Sequence, residues 1–329
     1  MSLLRCTECK HVIEVRHPMH KCPECGGLLE YELDYERLKG VNFTGEFTFW
    51  RYRTLLPEVE NLASMHEGGT PLHKAKRLAK RVGLEQLYLK DETRNPTNSF
   101  RDRCAALLVS NALDLNYSVL VCATNGNLGA SLSAYCGKYG IICHVVIPKV
   151  VDMGKLAQML IYDAVIEEYG ETVDKSMERA ERLAEETGWY QASSELNPLT
   201  IEAQKTIAFE VTEQLGVSDW FIVSMGSGGT IYSVWKGFRE LYELGKIERV
   251  PRMIGVQAEG CSPIIDAYLK IKRKNPARPF THAVGILVKK PMQQALALKA
   301  IELSEGTVSS ASDQEILSAE QEVAKLEGV

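Results

Sequence analysis

Three features are missing from this 329-residue sequence, and each absence narrows its function. No apolar run approaches the ~20 residues that a membrane-spanning helix needs. Basic residues are not in excess: the sequence has 38 Lys and Arg and 43 Asp and Glu, which gives a net charge of −5. That balance argues against nucleic acid or an anionic membrane as the main partner. The N-terminus lacks the apolar core of a signal peptide, so a cytoplasmic location is expected.

The nine cysteines are an odd number and lack the pattern of a disulfide framework. Four of them form two pairs, Cys6-x-x-Cys9 and Cys22-x-x-Cys25, separated by twelve residues. Each pair aims two thiolates at one point, and two pairs complete a tetrahedral metal site without an open position. We predict a structural zinc ribbon over residues 1–35. Iron in a rubredoxin-like site, or a ribbon that has lost its metal, would fit the same spacing. The other five cysteines are predicted to be small buried core residues.

From about residue 84 onward, strand-like and helix-like segments alternate, which is typical of an α/β protein with a mainly parallel sheet. The predicted strands cover residues 118–124, 143–148, 164–169, 220–224 and 253–257. The predicted helices cover residues 130–138, 171–187, 201–215, 231–244, 291–304 and 312–326. A basic stretch at 270–278 is interpreted as a solvated loop.

Two predicted strands end in polar turns that open the next helix. The first turn is Thr124-Asn125-Gly126-Asn127, and the second contains Gly226-Ser227-Gly228-Gly229-Thr230. Glycines allow consecutive backbone N–H groups to converge on an anion at a helix N-terminus, where the helix dipole also favours negative charge. Ordinary helix capping or a simple strand-to-helix turn would also favour these residue types. The second turn is therefore a candidate phosphate cradle, which its sequence alone does not establish.

The segment Asn95-Pro96-Thr97-Asn98-Ser99-Phe100-Arg101-Asp102-Arg103 resembles the motif Asn-Pro-Thr-Gly-Ser-Phe-Lys-Asp-Arg. That motif belongs to the threonine synthase branch of fold-type II pyridoxal-phosphate (PLP) enzymes. Further matches at 50–53, 67–72, 154–158, 197–206 and 257–260 extend the resemblance over nearly the whole chain. The resemblance implies two doubly wound α/β domains behind the zinc ribbon. Residues 36–100 and 195–329 would form a large PLP-binding domain, and residues 101–194 a small mobile domain.

The resemblance also implies roles for individual residues. Asn127 would bind the 3′ oxygen of PLP, and Gly226, Ser227, Gly228, Gly229 and Thr230 would hold its phosphate. The substrate carboxylate would lie on Thr124, Asn125 and Gly126, while Lys155 and Asn197 would contact the phosphate of O-phosphohomoserine. The implied reaction converts O-phosphohomoserine and water to threonine and phosphate, in a homodimer. The family pattern would continue past Val329, with a hydroxyl that faces the pyridine nitrogen.

Arg101 occupies the position of the lysine that forms the family's Schiff base with PLP. A guanidinium stays protonated and cannot act as the amine nucleophile, so this position lacks the atom on which the chemistry depends. Asn98 and Cys104 also replace glycines of the motif. Thr200 and Ala203 replace the arginine and glycine that relatives often carry. Three interpretations follow: a threonine synthase-like enzyme, a catalytically inactive relative that binds PLP or a phosphorylated amino acid non-covalently, or an enzyme that catalyses another β- or γ-replacement on an amino acid with a displaced amine. Lys90, Lys155 and Lys205 are the candidates for that amine.

Overall fold

The computed structural model describes residues 3–15, 19–271 and 279–329 of the chain. Most of the predicted basic loop, at 272–278, lies outside the described residues. The strands are β1 (Leu3–Cys6), β2 (Val12–Glu14), β3 (Leu29–Glu32), β4 (Leu72–Lys74), β5 (Tyr88–Lys90), β6 (Val119–Ala123), β7 (Ile142–Ile147), β8 (Val165–Glu168), β9 (Tyr190–Gln191), β10 (Trp220–Ser224), β11 (Arg252–Ala258) and β12 (Thr307–Ala311).

The helices alternate with these strands, as the sequence predicted. They are α1 (Tyr35–Leu38), α2 (Lys76–Val82), α3 (Arg101–Asp114), α4 (Asn127–Tyr139), α5 (Met153–Ile161), α6 (Val173–Thr187), α7 (Leu199–Gln204), α8 (Thr206–Leu215), α9 (Gly229–Glu243), α10 (Pro263–Tyr268), α11 (Gln294–Leu303) and α12 (Asp313–Glu327). Short 3-10 helices cover Phe49–Leu55, Glu92–Arg94 and Val284–Ile286. None of the helices within the described ranges has the length and apolar character to cross a membrane.

Two parallel sheets form the framework, which confirms the predicted α/β class. One sheet has the strand order β8-β7-β6-β9, and the other has the order β10-β11-β12. Strands β4 and β5 form an antiparallel pair, and β2-β1-β3 form the antiparallel sheet of the N-terminal cysteine segment. The polar turn 124–127 follows β6, and the glycine turn follows β10. Ligands of open parallel sheets commonly bind at such carboxyl ends of strands.

Helix α3, which begins at Arg101, lies at the centre of the molecule. Its residues from Asp102 to Ser110 are all buried, and it packs on both α4 and α7. A helix without a polar face has no solvent-facing side, so its apolar residues must be covered on every side. Cys104 lies on this helix, and all five cysteines outside the ribbon are buried, as predicted. The first residue of α3 is therefore held by a rigid, fully packed element.

The predicted helix 201–215 is divided into α7 and α8 at Lys205. Helix α9 packs closely against this division at Gly237. A Cβ atom added to Gly237 would lie only 2.4 Å from the Lys205 carbonyl oxygen. The buried Lys205 ammonium forms ion pairs with Glu202 and Glu240. Helical periodicity in the sequence does not reveal such a break, because the break coincides with contacts made by a distant helix.

Candidate active site and metal centre

The segment 95–103 is fixed by hydrogen bonds between its own residues. Asp102 accepts from both the backbone N–H and the hydroxyl of Thr97, each at 2.7 Å, and the Thr97 hydroxyl also lies 2.9 Å from the Ser131 hydroxyl. The Arg101 N–H donates to the Ser99 hydroxyl at 3.2 Å. Because Asp102 is fully buried, these donors stabilise a turn that leads directly into α3. The turn therefore presents residue 101 at a defined position.

Asn98 explains one departure from the family motif. Its φ angle is 58°, in the left-handed region, where glycine is unstrained and asparagine is the best tolerated of the other residues. Replacement of the family's glycine by asparagine therefore preserves the backbone path.

We expect Asn98→Ala to lower the free energy of unfolding by about 1 kcal/mol, because alanine has no local hydrogen bond to offset the left-handed conformation. Asn98→Gly should remain within about 0.5 kcal/mol of the parent. Urea denaturation of the three proteins measures both values. Equal stability of the alanine and glycine variants would contradict the assignment of strain to this residue.

Arg101 is half-buried at the start of α3, and its guanidinium lies 4.8 Å from the Phe100 ring centroid. None of the ion pairs among the described residues includes Arg101. Its charge does act on the neighbouring thiol: burial raises the pKa of Cys104, and the Arg101 guanidinium opposes that rise. Arg101 therefore offers a positive charge that is not committed to a protein carboxylate.

The glycine turn joins β10 to α9. Gly228 has a φ angle of 101°, which favours glycine, and a Cβ atom on Gly229 would lie 2.1 Å from Gln293 Oε1, so a side chain there would displace the Gln293 amide. Thr230 donates its hydroxyl hydrogen to Gln204 Oε1 at 2.8 Å. The Ser227 hydroxyl is buried without a hydrogen-bond partner among the described residues. An unpaired buried hydroxyl beside the free N–H groups of a helix N-terminus fits a phosphate group.

The turn 124–127 joins β6 to α4. The Thr124 hydroxyl accepts from the Gly126 N–H at 3.0 Å, and Asn125 Nδ2 donates to the Val284 carbonyl at 2.9 Å. Asn127 is the first residue of α4 and is half-buried. The Thr124 bond stabilises the turn locally and is not a helix cap, because the N-cap residue of α4 is Gly126 and has no side-chain cap bond. It leaves the roles predicted for Asn125 and Asn127 as predictions.

Two segments bring these turns together. Residues 284–288 contact both of them. The Val284 carbonyl accepts a hydrogen bond from the Asn125 side chain, and Val288 packs against Gly226, where an added Cβ atom would lie 3.2 Å from Val288 Cγ2. Lys155 connects the 124–127 turn with the 95–103 segment. Its ammonium donates to the Thr97 carbonyl at 2.8 Å, and its aliphatic stem packs on Gly126, where an added Cβ atom would lie 3.4 Å from Lys155 Cγ. These contacts connect the two turns and the 95–103 segment, and we call the region between them the cleft.

Asn197 has a different environment. Its amide donates to the Gln191 carbonyl at 2.9 Å and to the Tyr190 hydroxyl at 3.2 Å, and its oxygen accepts from the Leu199 N–H at 3.0 Å. These hydrogen bonds occupy the polar atoms of the Asn197 side chain and fix the backbone where the chain enters α7. A role of Asn197 in substrate binding stays a prediction.

The candidate amines differ in how firmly they are held. Lys90 forms a buried ion pair with Glu210 at 2.7 Å and also donates to Gln214, and Lys205 pairs with Glu202 and Glu240. Burial lowers the pKa of Lys90 against the opposing charge of Glu210. Burial also lowers the pKa of Lys155, against Asp102 and Asp152, and no ion pair among the described residues includes Lys155. Of the three lysines, Lys155 is the one that borders the cleft without a paired carboxylate.

Sequence reasoning missed two groups of residues near the cleft. Gln293 donates to the carbonyls of Ser194 and Glu195, both at 3.4 Å, while its own N–H donates to the Ser227 carbonyl at 3.2 Å. Arg103, fully buried, pairs with Glu92 and Glu210 behind the 95–103 segment. No local pattern marks Gln293. The motif did contain Arg103, but its acidic partner at 210 is more than one hundred residues away.

The four cysteines predicted as metal ligands come together in one cluster. The sulfur atoms of Cys6, Cys9, Cys22 and Cys25 all lie within 4.8 Å of one another. Burial opposes ionisation of Cys6, but the N–H groups of Glu8 and Cys9 outweigh it and lower the pKa of its thiol to about 7. The arrangement is compatible with a tetrahedral metal ion bound by four thiolates.

A large open cavity lies elsewhere. It has a volume of about 570 Å³ and is lined by Tyr169, Lys175 and other charged residues on the outer side of α6. Binding sites for small molecules are mostly apolar and enclosed, with a few convergent polar groups. We therefore place the candidate site at the two turns and not at this cavity.

Comparison with known proteins identifies the family of this chain. Residues 63–329 match the family of pyridoxal-phosphate dependent enzymes. The chain belongs to this family. The threonine synthase of Methanocaldococcus jannaschii is 39% identical over 99% of this chain and 83% of its own length. That of Methanosarcina acetivorans is 37% identical over 100% of this chain and 83% of its own length.

Solved structures identify the fold within the PLP-dependent family. A pyridoxal 5'-phosphate-dependent aspartate racemase matches with a TM-score of 0.68 and 25% identity, over 79% of each chain. Threonine deaminase isoform 2 from Solanum lycopersicum matches with a TM-score of 0.65 and 22% identity, over 78% of this chain and 69% of that one. The protein is a fold-type II, threonine synthase-like member of the PLP-dependent family, as its motifs predicted.

Proposed function

We propose that this protein binds PLP and a phosphorylated amino acid of the O-phosphohomoserine class in a threonine synthase-type site, with the cofactor held non-covalently. The observation that carries the proposal is Arg101, which stands at the first residue of α3 in place of the family's lysine. Its guanidinium cannot provide the neutral amine that covalent attachment of PLP requires.

The glycine turn is the proposed phosphate site of the cofactor. The backbone N–H groups at Gly226–Thr230 and the unpaired Ser227 hydroxyl would hold the phosphate, and Asn127 would contact the ring substituent. PLP supplies an electron sink for carbanion chemistry. The residues of this chain would contribute binding and orientation of the cofactor.

The proposed substrate carries two anionic groups, and the cleft has two cations for them. Arg101 forms no ion pair with a described carboxylate, and its forked donors suit a phosphate or carboxylate. Lys155 uses two of its three N–H donors on Thr97 and Gln158, which leaves one for a ligand. Thr124, Asn125 and Gly126 would hold the amino acid's carboxylate.

A second candidate is threonine synthase catalysis itself, with Lys155 as a displaced amine. The supporting observation is its environment: burial lowers its pKa, and it borders the same cleft as residue 101. A lowered pKa increases the fraction of neutral amine, which is the reactive form. In this case the protein would convert O-phosphohomoserine to threonine and phosphate.

We also propose that zinc is the ion of the four-cysteine site. Four thiolates satisfy the usual coordination of structural zinc and leave no position for a substrate. Metal analysis of the purified protein, with zinc and iron measured together, distinguishes zinc from a rubredoxin-like iron centre.

The main test is a PLP titration followed by absorbance, with borohydride reduction and peptide mass mapping afterwards. We expect saturable binding in the parent protein without a reducible covalent adduct. Arg101→Lys should gain an adduct on residue 101, because it restores the amine at the position where the family places it. Phosphate release from O-phosphohomoserine is measured for both proteins.

Lys155→Met is the matched control for the second candidate. An adduct on Lys155 in the parent, lost in this variant together with phosphate release, would establish the catalytic candidate and overturn the non-covalent one. A parent protein that shows no saturable PLP binding would overturn both.

A further inference from the structure

The cysteine ribbon contacts the helix that begins at the glycine turn. Strand β3 of the ribbon carries Glu30, which accepts a hydrogen bond from the Tyr232 hydroxyl on α9. Lys299 on α11 lies 3.6 Å from the same carboxylate and donates to the Tyr232 hydroxyl at 3.3 Å. Tyr232 is buried and lies only two residues after Thr230, within the first turn of α9. The ribbon therefore touches α9 next to its phosphate-binding end.

The next residue of β3 makes a second contact. The Tyr31 carbonyl accepts from the Lys236 ammonium at 2.7 Å, and Lys236 also pairs with Glu202 on α7. Lys236 and Glu202 are both buried, so the ammonium depends on these acceptors. Helix α7 in turn carries Gln204, which accepts the hydrogen bond of Thr230. Two routes thus connect β3 with the glycine turn, one along α9 and one through α7.

Strand β3 is joined to the four-cysteine cluster by backbone pairing. Cys6 pairs with Leu29 across the β1–β3 ladder, and the Thr7 N–H donates to the Leu28 carbonyl at 2.9 Å. The ribbon strands are three or four residues long, so they need support from the cysteine site and from the core against which Leu4, Leu29 and Tyr31 pack. The order of Glu30 and Tyr31 therefore depends on both.

We propose that the ribbon is a positioning element for the glycine turn: Glu30 and the Tyr31 carbonyl fix Tyr232 and Lys236, and thereby hold the N-terminal turn of α9 ready for a phosphate. The role of the turn as a phosphate site rests on the proposed function. Glu30 and Tyr31 do not contact the 124–127 turn or the glycine turn directly. Their effect on ligand binding would therefore be transmitted through α9 and α7.

A pair of glutamates on the same strand tests this proposal. Glu30 bonds to α9, whereas Glu32 pairs with Arg5 inside the ribbon. We expect Glu30→Ala to weaken PLP binding roughly tenfold, because a buried hydroxyl loses its charged acceptor. Glu32→Ala should stay within about twofold of the parent. Glu30→Gln retains an acceptor oxygen and should restore most of the affinity. Zinc content is measured in every variant and is expected to be unchanged.

Hydrogen exchange of residues 226–232 provides a readout that does not need PLP. Exchange there should be faster in Glu30→Ala than in Glu32→Ala, while exchange in β6 and β7 stays the same. Equal affinities and equal exchange rates in the two alanine variants would overturn the proposal. If the parent protein does not bind PLP, the proposed function fails, and the exchange rates still decide the role of the ribbon.

Discussion

Glu210→Ala is expected to lower the free energy of unfolding by about 3–5 kcal/mol, because it leaves buried cations without their main partner. The Glu210 carboxylate accepts from Arg103 at 2.9 Å, from Lys90 at 2.7 Å and from the Gly69 N–H at 2.9 Å. Arg103 and Glu210 are both fully buried. The variant therefore leaves Arg103 with Glu92 as its one carboxylate partner among the described residues, beside the hydroxyls of Thr70 and Thr206. Urea denaturation followed by circular dichroism measures the loss.

The control is an exposed ion pair of the same residue types. Arg81 and Glu322 lie 2.8 Å apart, with side chains 70% and 38% exposed, so Glu322→Ala should cost less than about 1 kcal/mol. An Arg103→Met/Glu210→Met double variant should be more stable than Glu210→Met, since it removes a buried charge together with its partner. A loss for Glu210→Ala no larger than that for Glu322→Ala would contradict this account of the buried network.

The lowered pKa of the Glu210 carboxyl group also makes the free energy of unfolding depend on pH. Burial would raise the pKa of Glu210, but Arg103 and Lys90 outweigh it and lower the pKa to about 2. The unfolded chain has a carboxyl pKa of about 4.3, so it binds more protons than the folded protein between these values. The contribution of Glu210 is therefore complete above about pH 5 and is lost as the pH falls towards 2. Glu210→Ala should show a shallower loss of stability across this acid range.

Removal of the ion from the four-cysteine site is expected to unfold the ribbon while the two parallel sheets remain. Structural zinc contributes about 10–16 kcal/mol of apparent binding free energy in small zinc domains, which is more than we expect from the buried Leu4, Leu29 and Tyr31 at about 1.5–3 kcal/mol each. Cys22→Ser should reduce bound zinc from about one ion per chain to a small fraction of that. Metal analysis and hydrogen exchange of residues 3–15 and 19–32 measure the two effects.

Cys136→Ala serves as the comparison, because Cys136 is buried in α4 and is not one of the four clustered cysteines. It should retain the full zinc content and normal exchange in the ribbon. A Cys22→Ser protein that keeps its zinc and a protected ribbon would show that the cysteines do not form the metal centre.

The sequence by itself determined the features that depend on short spacing. The two Cys-x-x-Cys pairs predicted a four-sulfur cluster, and alternating strands and helices predicted the α/β class with its parallel sheets. The glycine turn and the segment 95–103 identified the family, and the substitution at Arg101 was visible in the same segment. These inferences succeed because residues close in the chain must also be close in the fold.

Only the tertiary structure decided which of these groups are available for chemistry. Lys90 was a candidate amine by position, but Glu210, 120 residues further along, holds it in a buried ion pair. The division at Lys205 and the contact of Gln293 with the glycine turn also arise from helices that lie far apart in the chain. So does the bond from Glu30 to Tyr232, separated by 202 residues. Burial and charge pairing are set by such long-range packing, which local patterns do not encode, and they determine which side chains can bind a ligand.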